Sequence, residues 1–146
     1  MTCFYYLEFA RLLLLDNNKF EVYISLQLII TDYLNSFGIN TKEIGLFDRL
    51  LKGNIAELPE AKIFSRGYVL HTLEASIWCL LTTNNYQEAI LKAVNLGNDT
   101  DTTGAVTGGL AGLLYGIDSI PSTWINMLAR KNDIEDLAKR MAAKLA

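Results

Sequence analysis

The chain has 146 residues and a formal net charge of −3, with 13 Lys and Arg against 16 Asp and Glu. This acidic balance argues against nucleic acid as a partner, because nucleic-acid binding requires a basic footprint. The length predicts one domain with a real core, and 51% of the residues are hydrophobic before glycine is counted. This excess of hydrophobic residues is expected if apolar faces of the domain pack against another half of the protein or another subunit.

No targeting or membrane-spanning segment is predicted. The first residues lack the basic region of a signal peptide, because Glu8 precedes Arg11. The longest uncharged run, 102–117, is rich in glycine and too short to cross a bilayer. Cys3 and Cys79 make no metal-ligand spacing, and reduced thiols are favoured over a single disulfide. We therefore expect a cytoplasmic protein that does not contact membranes.

The first third of the chain is predicted to be helical. Residues 2–15 are apolar and aromatic, and a second helix is predicted over 19–37, where a strand is the alternative because apolar residues also alternate. The length of the second segment favours a helix. The residues predicted to face the core there are Phe20, Tyr23, Ile24, Leu28 and Tyr33. A shorter helix is predicted from Thr41, as its N-cap, to just before Gly53.

The middle of the chain is predicted as a loop followed by two helices. Residues 53–66 have no clear period and are interpreted as a connecting loop. A strongly amphipathic helix follows over 70–81. Asn85 and Glu88 form a capping-box arrangement for the next helix, which Gly97 ends.

The C-terminal segment is predicted to hold two further helices. Ser119 and Pro121 open a short one, and Asn132 with Glu135 caps the last. The residues predicted to face inward on the last helix are Ile134, Leu137, Met141 and Leu145. Since no alternation of strands and helices appears along the chain, the fold class is predicted to be all-α.

The most informative stretch begins with acids and hydroxyls. Asp99 and Asp101 alternate with threonines, and alternate positions of an extended loop project to the same side. Convergent carboxylate and hydroxyl oxygens suit a hard cation such as Mg²⁺, Mn²⁺ or Ca²⁺. A simple helix cap or turn is the alternative. An EF-hand is excluded. If Asp99 is the first residue of such a loop, the twelfth is Leu110, where a bidentate Glu is needed.

A glycine-rich helix is predicted after these acids. Glycine recurs every fourth residue, at Gly104, Gly108, Gly112 and Gly116. The spacing places these glycines on one helical face, and each costs about 1 kcal/mol relative to alanine, so a neighbouring helix is expected to approach closely. The helix is predicted to begin near Thr102, which would place both carboxylates at its positive end.

The segment Gly97-Asn98-Asp99-Thr100-Asp101-Thr102-Thr103-Gly104-Ala105 resembles the metal-binding signature of the ADP-ribosylglycohydrolase family. The usual form of that signature is Gly-Gly-Asp-Thr-Asp-Thr before a Gly/Ala-rich helix, and this chain carries Asn98 at the second glycine. The resemblance covers residues 66–128. It includes Gly67-Tyr68-Val69, Leu73-Glu74-Ala75, Trp78, Ile120-Pro121 and Trp124.

The resemblance implies a multi-helix orthogonal bundle, all-α, and a site for two divalent cations, Mg²⁺ or Mn²⁺. The implied metal ligands are Asp99, Asp101 and Thr102, and the implied substrate-binding residues are Gly97, Asn98 and Thr100. The implied reaction is hydrolysis of the glycosidic bond between ADP-ribose and a modified side chain, most often arginine. No catalytic residue is identified in this chain, and the general base is expected to lie outside it.

Family members are considerably longer, and their N-terminal half supplies a Thr-Asp-Asp cluster to the same metals. The nearest string here, Thr31-Asp32-Tyr33, lacks the second acid. We therefore expect residues 1–146 to form one all-α domain that corresponds to the C-terminal part of the fold. The expected partners are an ADP-ribosylated protein or an ADP-ribose-like molecule, with a second copy or an N-terminal half covering the apolar surface.

An alternative function, and the roles of four single residues, remain to be considered. A non-catalytic helical module that binds ADP-ribose or a metal is the alternative to an enzyme. Among single residues, His71 is expected to be a partly buried or surface histidine with a hydrogen-bond partner rather than a catalytic base. Glu74 is the next acid to consider for a functional role, but its position on an amphipathic helix is expected to be solvated. Trp78 and Trp124 are expected to pack in the core or an interface.

Overall fold

The computed structural model describes residues 1–145, which form helices, short 3-10 turns and loops, with no strand in that range. The α-helices are α1 (Thr2–Leu13), α2 (Lys19–Ser36), α3 (Thr41–Gly45), α4 (Asp48–Leu51), α5 (Val69–Leu81), α6 (Tyr86–Asn95), α7 (Thr100–Tyr115), α8 (Ser122–Met127) and α9 (Lys131–Leu145). The predicted all-α class is confirmed. Within the described residues, no helix has the length and apolar character needed to cross a membrane.

Helix α5 lies at the centre of the fold. Residues 72–81 are all buried, because α1, α6, α7 and the preceding loop pack around them. Trp78 anchors this packing: its indole N–H donates to the Leu58 carbonyl at 3.0 Å, and Lys92 Nζ lies 3.7 Å from its ring centroid. The amphipathic pattern predicts one buried face, whereas the neighbouring elements bury this helix on every side.

Helix α2 confirms the helical prediction but not the predicted face. Its buried residues are Val22, Tyr23, Leu26, Ile30 and Leu34. Of the residues predicted to face the core, Tyr23 is buried, and Phe20, Ile24, Leu28 and Tyr33 are exposed. The prediction was wrong because α2 is apolar on both faces, so periodicity could not distinguish them.

Helix α9 lies on the outside of the molecule. Every described residue after Lys131 is exposed, and the residues predicted to face inward are between 52% and 76% exposed (Ile134, Leu137, Met141 and Leu145). The amphipathic pattern identified an apolar face correctly, but no described residue covers that face.

The predicted cap is confirmed at α6 but not at α3 or α9, since Asn132, the predicted cap of the last helix, lies inside α9, which begins at Lys131. Asn85 Oδ1 accepts the Glu88 N–H at 2.8 Å, which confirms the cap of α6. The predicted helix from Thr41 divides into α3 and α4, and its cap is Asn40, whose Oδ1 accepts the Lys42 N–H at 2.9 Å.

Two glycines of α7 lie where it approaches α6 most closely. A Cβ on Gly104 would lie 3.1 Å from Val94 Cγ1, and a Cβ on Gly108 would lie 3.4 Å from side chains of α6. The predicted close approach is confirmed at these two positions. Gly112 has no such neighbour within 4 Å, and Gly116 lies beyond the helix with a φ of +77° that ends it.

Gly109 makes a closer contact that the four-residue spacing does not predict. A Cβ there would overlap the Tyr6 hydroxyl, which donates to the Val106 carbonyl at 3.4 Å. Gly109→Ala is therefore expected to displace Tyr6 and to lower the free energy of unfolding by about 1–2 kcal/mol, measured by urea denaturation.

Two variants test whether the Tyr6 hydroxyl causes this loss. In a Tyr6→Phe background the hydroxyl is absent, and the nearest remaining atom to a Cβ at position 109 is the ring Cζ of residue 6, at 3.7 Å. Gly109→Ala should then raise the free energy of unfolding by about 0.5–1 kcal/mol through helix propensity. Gly112→Ala is the matched control and should show the same gain, because its Cβ meets nothing within 4 Å. If Gly109→Ala lowers the free energy of unfolding equally in the wild-type and Tyr6→Phe backgrounds, the contact with the Tyr6 hydroxyl is not the cause.

Candidate metal centre

The turn between α6 and α7 has a left-handed backbone at two consecutive residues. Gly97 has a φ of +76° and Asn98 a φ of +58°. Glycine adopts this conformation without strain, and asparagine adopts it more readily than most other residues. Asn98 can therefore adopt the left-handed conformation of this turn with less strain than most other side chains.

Helix α7 begins at Thr100, two residues before the predicted start. Asp99 is therefore the N-cap residue, and Asp101 and Thr102 lie in the first helical turn. The prediction of an extended loop at these residues was wrong. Their side chains are placed by helical geometry and not by the alternation of an extended chain.

The Asp99 carboxylate does not cap its own helix. No N–H of the first turn donates to this side chain. The backbone of Asp99 is held instead, because its N–H donates to the Ser65 carbonyl at 2.9 Å and its own carbonyl accepts the Thr103 N–H at 3.2 Å. A Cβ on Gly67 would lie 3.7 Å from Asp99 Oδ2, so the carboxylate is directed at the loop before α5. The capping alternative does not account for Asp99, whose oxygens remain available to a ligand.

Asp101 lies beside Asp99 on the surface. Its Oδ1 accepts the Thr102 N–H at 2.9 Å. The pKa of Asp101 is lowered, first by the Thr102 amide and then by the Asp99 side chain. The lowered pKa keeps this carboxylate charged at neutral pH.

A cavity of about 540 Å³ opens next to these acids. Asp99 and Thr102 form part of its polar lining. Its apolar wall comes from α1, α5 and α7 and consists of Cys3, Tyr6, Leu7, Val69, Leu73 and Val106. The other predicted site residues, Gly97, Asn98, Thr100 and Asp101, are outside this lining. The structure thus brings two of the three predicted ligands to the cavity and places the third beside them.

The donor atoms fit a hard divalent cation in kind. Two carboxylates and one hydroxyl, from Asp99, Asp101 and Thr102, are oxygen ligands of the type that Mg²⁺ and Mn²⁺ prefer. Across residues 1–145, no group of three or more His, Cys, Asp or Glu side chains is placed to hold a metal. An octahedral cation would therefore take its remaining oxygens from water, substrate or further polypeptide.

Sequence reasoning missed Ser65, which lies in the predicted loop. Its Oγ is 2.8 Å from Thr103 Oγ1, and both side chains are buried. Its position two residues before Gly67, at the edge of the segment that carries the resemblance, is the signal that could have identified it.

Of two titratable residues of α5, Glu74 contradicts its prediction, whereas His71 is partly buried as predicted. Glu74 is buried and not solvated: its Oε2 lies 2.8 Å from Arg49 Nη1, and burial raises its pKa while Arg49 opposes the rise. His71 packs against the rings of Phe64 and Tyr68, and its Nδ1 has no hydrogen-bond partner in the described structure. Burial, together with nearby arginine charges, lowers the pKa of His71.

Comparison with known proteins matches most of the chain to one family. The family model described as ADP-ribosylglycohydrolase matches residues 7–146. The ADP-ribosylarginine hydrolase Tri1 of Serratia proteamaculans (strain 568) is 44% identical over 96 residues, which cover 64% of this chain and 26% of that protein. Tri1 of Pseudomonas putida (strain GB-1) is 39% identical over 89 residues, or 61% of this chain and 24% of that protein.

A third relative has a different named substrate. The ADP-ribosyl-[dinitrogen reductase] glycohydrolase of Rhodospirillum rubrum is 37% identical over 82 residues, which cover 56% of this chain and 28% of that protein. The chain therefore spans about a quarter of the length of the curated relatives that it matches.

Proposed function

The chain belongs to the ADP-ribosylglycohydrolase family, and from that premise we propose that it forms the metal-binding part of an enzyme that hydrolyses the glycosidic bond between ADP-ribose and a protein side chain. Arginine is the proposed side chain, because two relatives are named ADP-ribosylarginine hydrolases. The observation that carries the proposal is the Asp99 carboxylate, which makes no capping bond and lines a cavity.

The proposed cofactor is a pair of divalent cations, Mg²⁺ or Mn²⁺. Asp99 and Asp101 would hold them by charge, and the Thr102 hydroxyl would add a neutral oxygen. When bound, such cations supply Lewis-acid stabilisation and orient a water near the glycosidic carbon, whose transition state is oxocarbenium-like.

The remaining residues around the cavity would bind and orient the substrate. The apolar wall from α1, α5 and α7 would exclude water from the face of the ribose that packs on it. Gly97, Asn98 and Thr100 lie at the turn outside the cavity lining, and we propose that they contact substrate groups that project from the cavity.

The test is release of ADP-ribose from ADP-ribosylarginine, measured with Mn²⁺ and again with EDTA. Release that requires Mn²⁺ is the expected result. A non-catalytic module that binds ADP-ribose or a metal is the second candidate, and it is favoured by the small donor set of the described residues. Saturable binding of Mn²⁺ or ADP-ribose without hydrolysis would support that candidate.

The exposed apolar faces of α2 and α9 are proposed to associate with a second copy of the chain. The α2 face comprises Phe20, Ile24 and Leu28, and the α9 face comprises Ile134, Leu137, Met141 and Leu145. Light scattering should then give twice the chain mass of 16.3 kDa. Leu28→Glu or Leu137→Glu should return the monomer mass if the substituted face lies in the contact. A monodisperse wild-type monomer would exclude the second copy.

A further inference from the structure

A pair of buried hydroxyls joins the loop before α5 to α7. Ser65 Oγ lies 2.8 Å from Thr103 Oγ1, and the two residues are 2% and 0% exposed. The Ser65 carbonyl accepts the Asp99 N–H at 2.9 Å, and Ser65 Oγ also reaches the Asp99 carbonyl at 3.5 Å. Ser65 thus contacts Asp99 directly and contacts the residue one helical turn after it.

The contacts of Ser65 hold the start of α7, where the N-cap residue Asp99 makes no side-chain capping bond. An N-cap side chain normally bonds the amides of the first turn and so fixes its own orientation. Asp99 makes no such bond, and it follows Asn98, whose φ is +58°. Helix ends fray when nothing holds them. The Asp99 backbone is held by its contacts with Ser65 and by the Thr103 N–H, which donates to the Asp99 carbonyl.

The backbone of Thr103 is also hydrogen-bonded to the central helix. Ser76 Oγ of α5 donates to the Thr103 carbonyl at 3.5 Å, and Ser76 is fully buried. Buried hydroxyls add little net stability compared with apolar groups of the same shape, because each must first lose its water. Their hydrogen bonds are directional, which fits a role in fixing geometry.

We propose that Ser65 and Thr103 are positioning residues that hold Asp99 with its carboxylate facing the cavity. Neither residue lines the cavity, so each acts through Asp99 and not on a ligand. The inference rests on the proposed function only in naming a divalent cation as the ligand that Asp99 holds. Groups that orient a ligating side chain typically change metal affinity by about 10–100-fold when removed.

Two substitutions of Thr103 separate positioning from packing. Thr103→Val keeps the shape and removes the hydroxyl, whereas Thr103→Ser keeps the hydroxyl and removes a buried methyl. Amide hydrogen exchange by NMR would report the Asp99 N–H, with the Trp78 amide in the middle of α5 as the internal reference. Calorimetric titration of Mn²⁺ would report the site itself.

The expected result is that Thr103→Val speeds exchange of the Asp99 amide by about 10-fold or more, leaves the Trp78 amide unchanged and weakens Mn²⁺ binding by about 10-fold. Thr103→Ser should retain the wild-type exchange rate of the Asp99 amide and the wild-type Mn²⁺ affinity. This result is expected even if Thr103→Ser unfolds at a lower temperature than Thr103→Val. Ser65→Ala should reproduce the effect of Thr103→Val on the Asp99 amide.

Two results would overturn the proposal. One is wild-type exchange at Asp99 in Thr103→Val, and the other is an equal effect of the Val and Ser variants, which would show that packing alone matters. If the wild-type chain takes up no Mn²⁺, the proposed metal site fails on its own. The Asp99 amide then still decides whether Ser65 and Thr103 hold that residue.

Discussion

Asp101→Ala is expected to abolish Mn²⁺ binding while the helical content of the protein stays unchanged. The substitution removes one of two adjacent carboxylates, and three oxygen donors are already few for a divalent cation. Asp101 is exposed, and its hydrogen bond is to the adjacent Thr102 N–H, so its loss should leave the fold intact. Calorimetric titration and far-ultraviolet circular dichroism measure the two quantities.

Asp118→Ala is the matched control for Asp101→Ala. Asp118 is an exposed acid in the 3-10 turn after α7, so its replacement removes the same charge at a position outside the cavity lining. Saturable Mn²⁺ binding should survive in this variant. Unfolding of Asp101→Ala would instead favour the capping role for the acids. Absence of binding in the wild type would mean that the cation needs ligands from outside these residues.

Arg49→Met is expected to lower the free energy of unfolding by about 3–5 kcal/mol, because it leaves the Glu74 carboxylate buried without its partner. Arg49 Nη1 lies 2.8 Å from Glu74 Oε2, and Nη2 donates to the Lys62 carbonyl at 2.7 Å. Urea denaturation measures the loss. The double variant Arg49→Met/Glu74→Leu should lose less than the single variant, since no unpaired charge remains in the core. A larger loss in the double variant would contradict this account.

The effect of Arg49→Met should also depend on pH. Burial raises the pKa of Glu74 above its ordinary value of 4.5, and Arg49 opposes that rise. A carboxyl whose pKa is raised by folding stabilises the fold fully below its unfolded pKa and loses that contribution as pH rises through the folded pKa. Removing Arg49 raises the folded pKa further. The destabilisation should therefore be smaller near pH 4.5 than near pH 7, and equal losses at both would exclude a charged Glu74 as the cause.

The elements that could be predicted from sequence are those that depend on neighbours along the chain. The cap of α6 at Asn85 and the glycine turn at Gly97 follow from residue types within a few positions. The buried faces of α2 and α9 could not be predicted, because α2 has two apolar faces and the apolar face of α9 is uncovered in the described structure. Periodicity identifies an apolar face, whereas tertiary contacts decide whether it is buried.

The candidate site shows the same division. The three predicted metal ligands lie within four consecutive residues, Asp99 to Thr102, so the sequence alone predicts that they are close in space. Ser65 and the Arg49–Glu74 pair depend on contacts between distant segments, which no local pattern contains. Glu74 in particular lies on a helix that is covered on all sides, and the usual expectation of a solvated charge fails there.

The contact of Gly109 with Tyr6 has a consequence for how these positions change during evolution. A side chain at position 109 displaces the ring at position 6 when that ring carries a hydroxyl, so substitutions at the two sites should be coupled among homologues. Glycine should accompany tyrosine, and alanine should accompany phenylalanine. Because α1 lies outside residues 66–128, which carry the resemblance in sequence, such covariation would show that the wall it contributes to the cavity is inherited along with the acids.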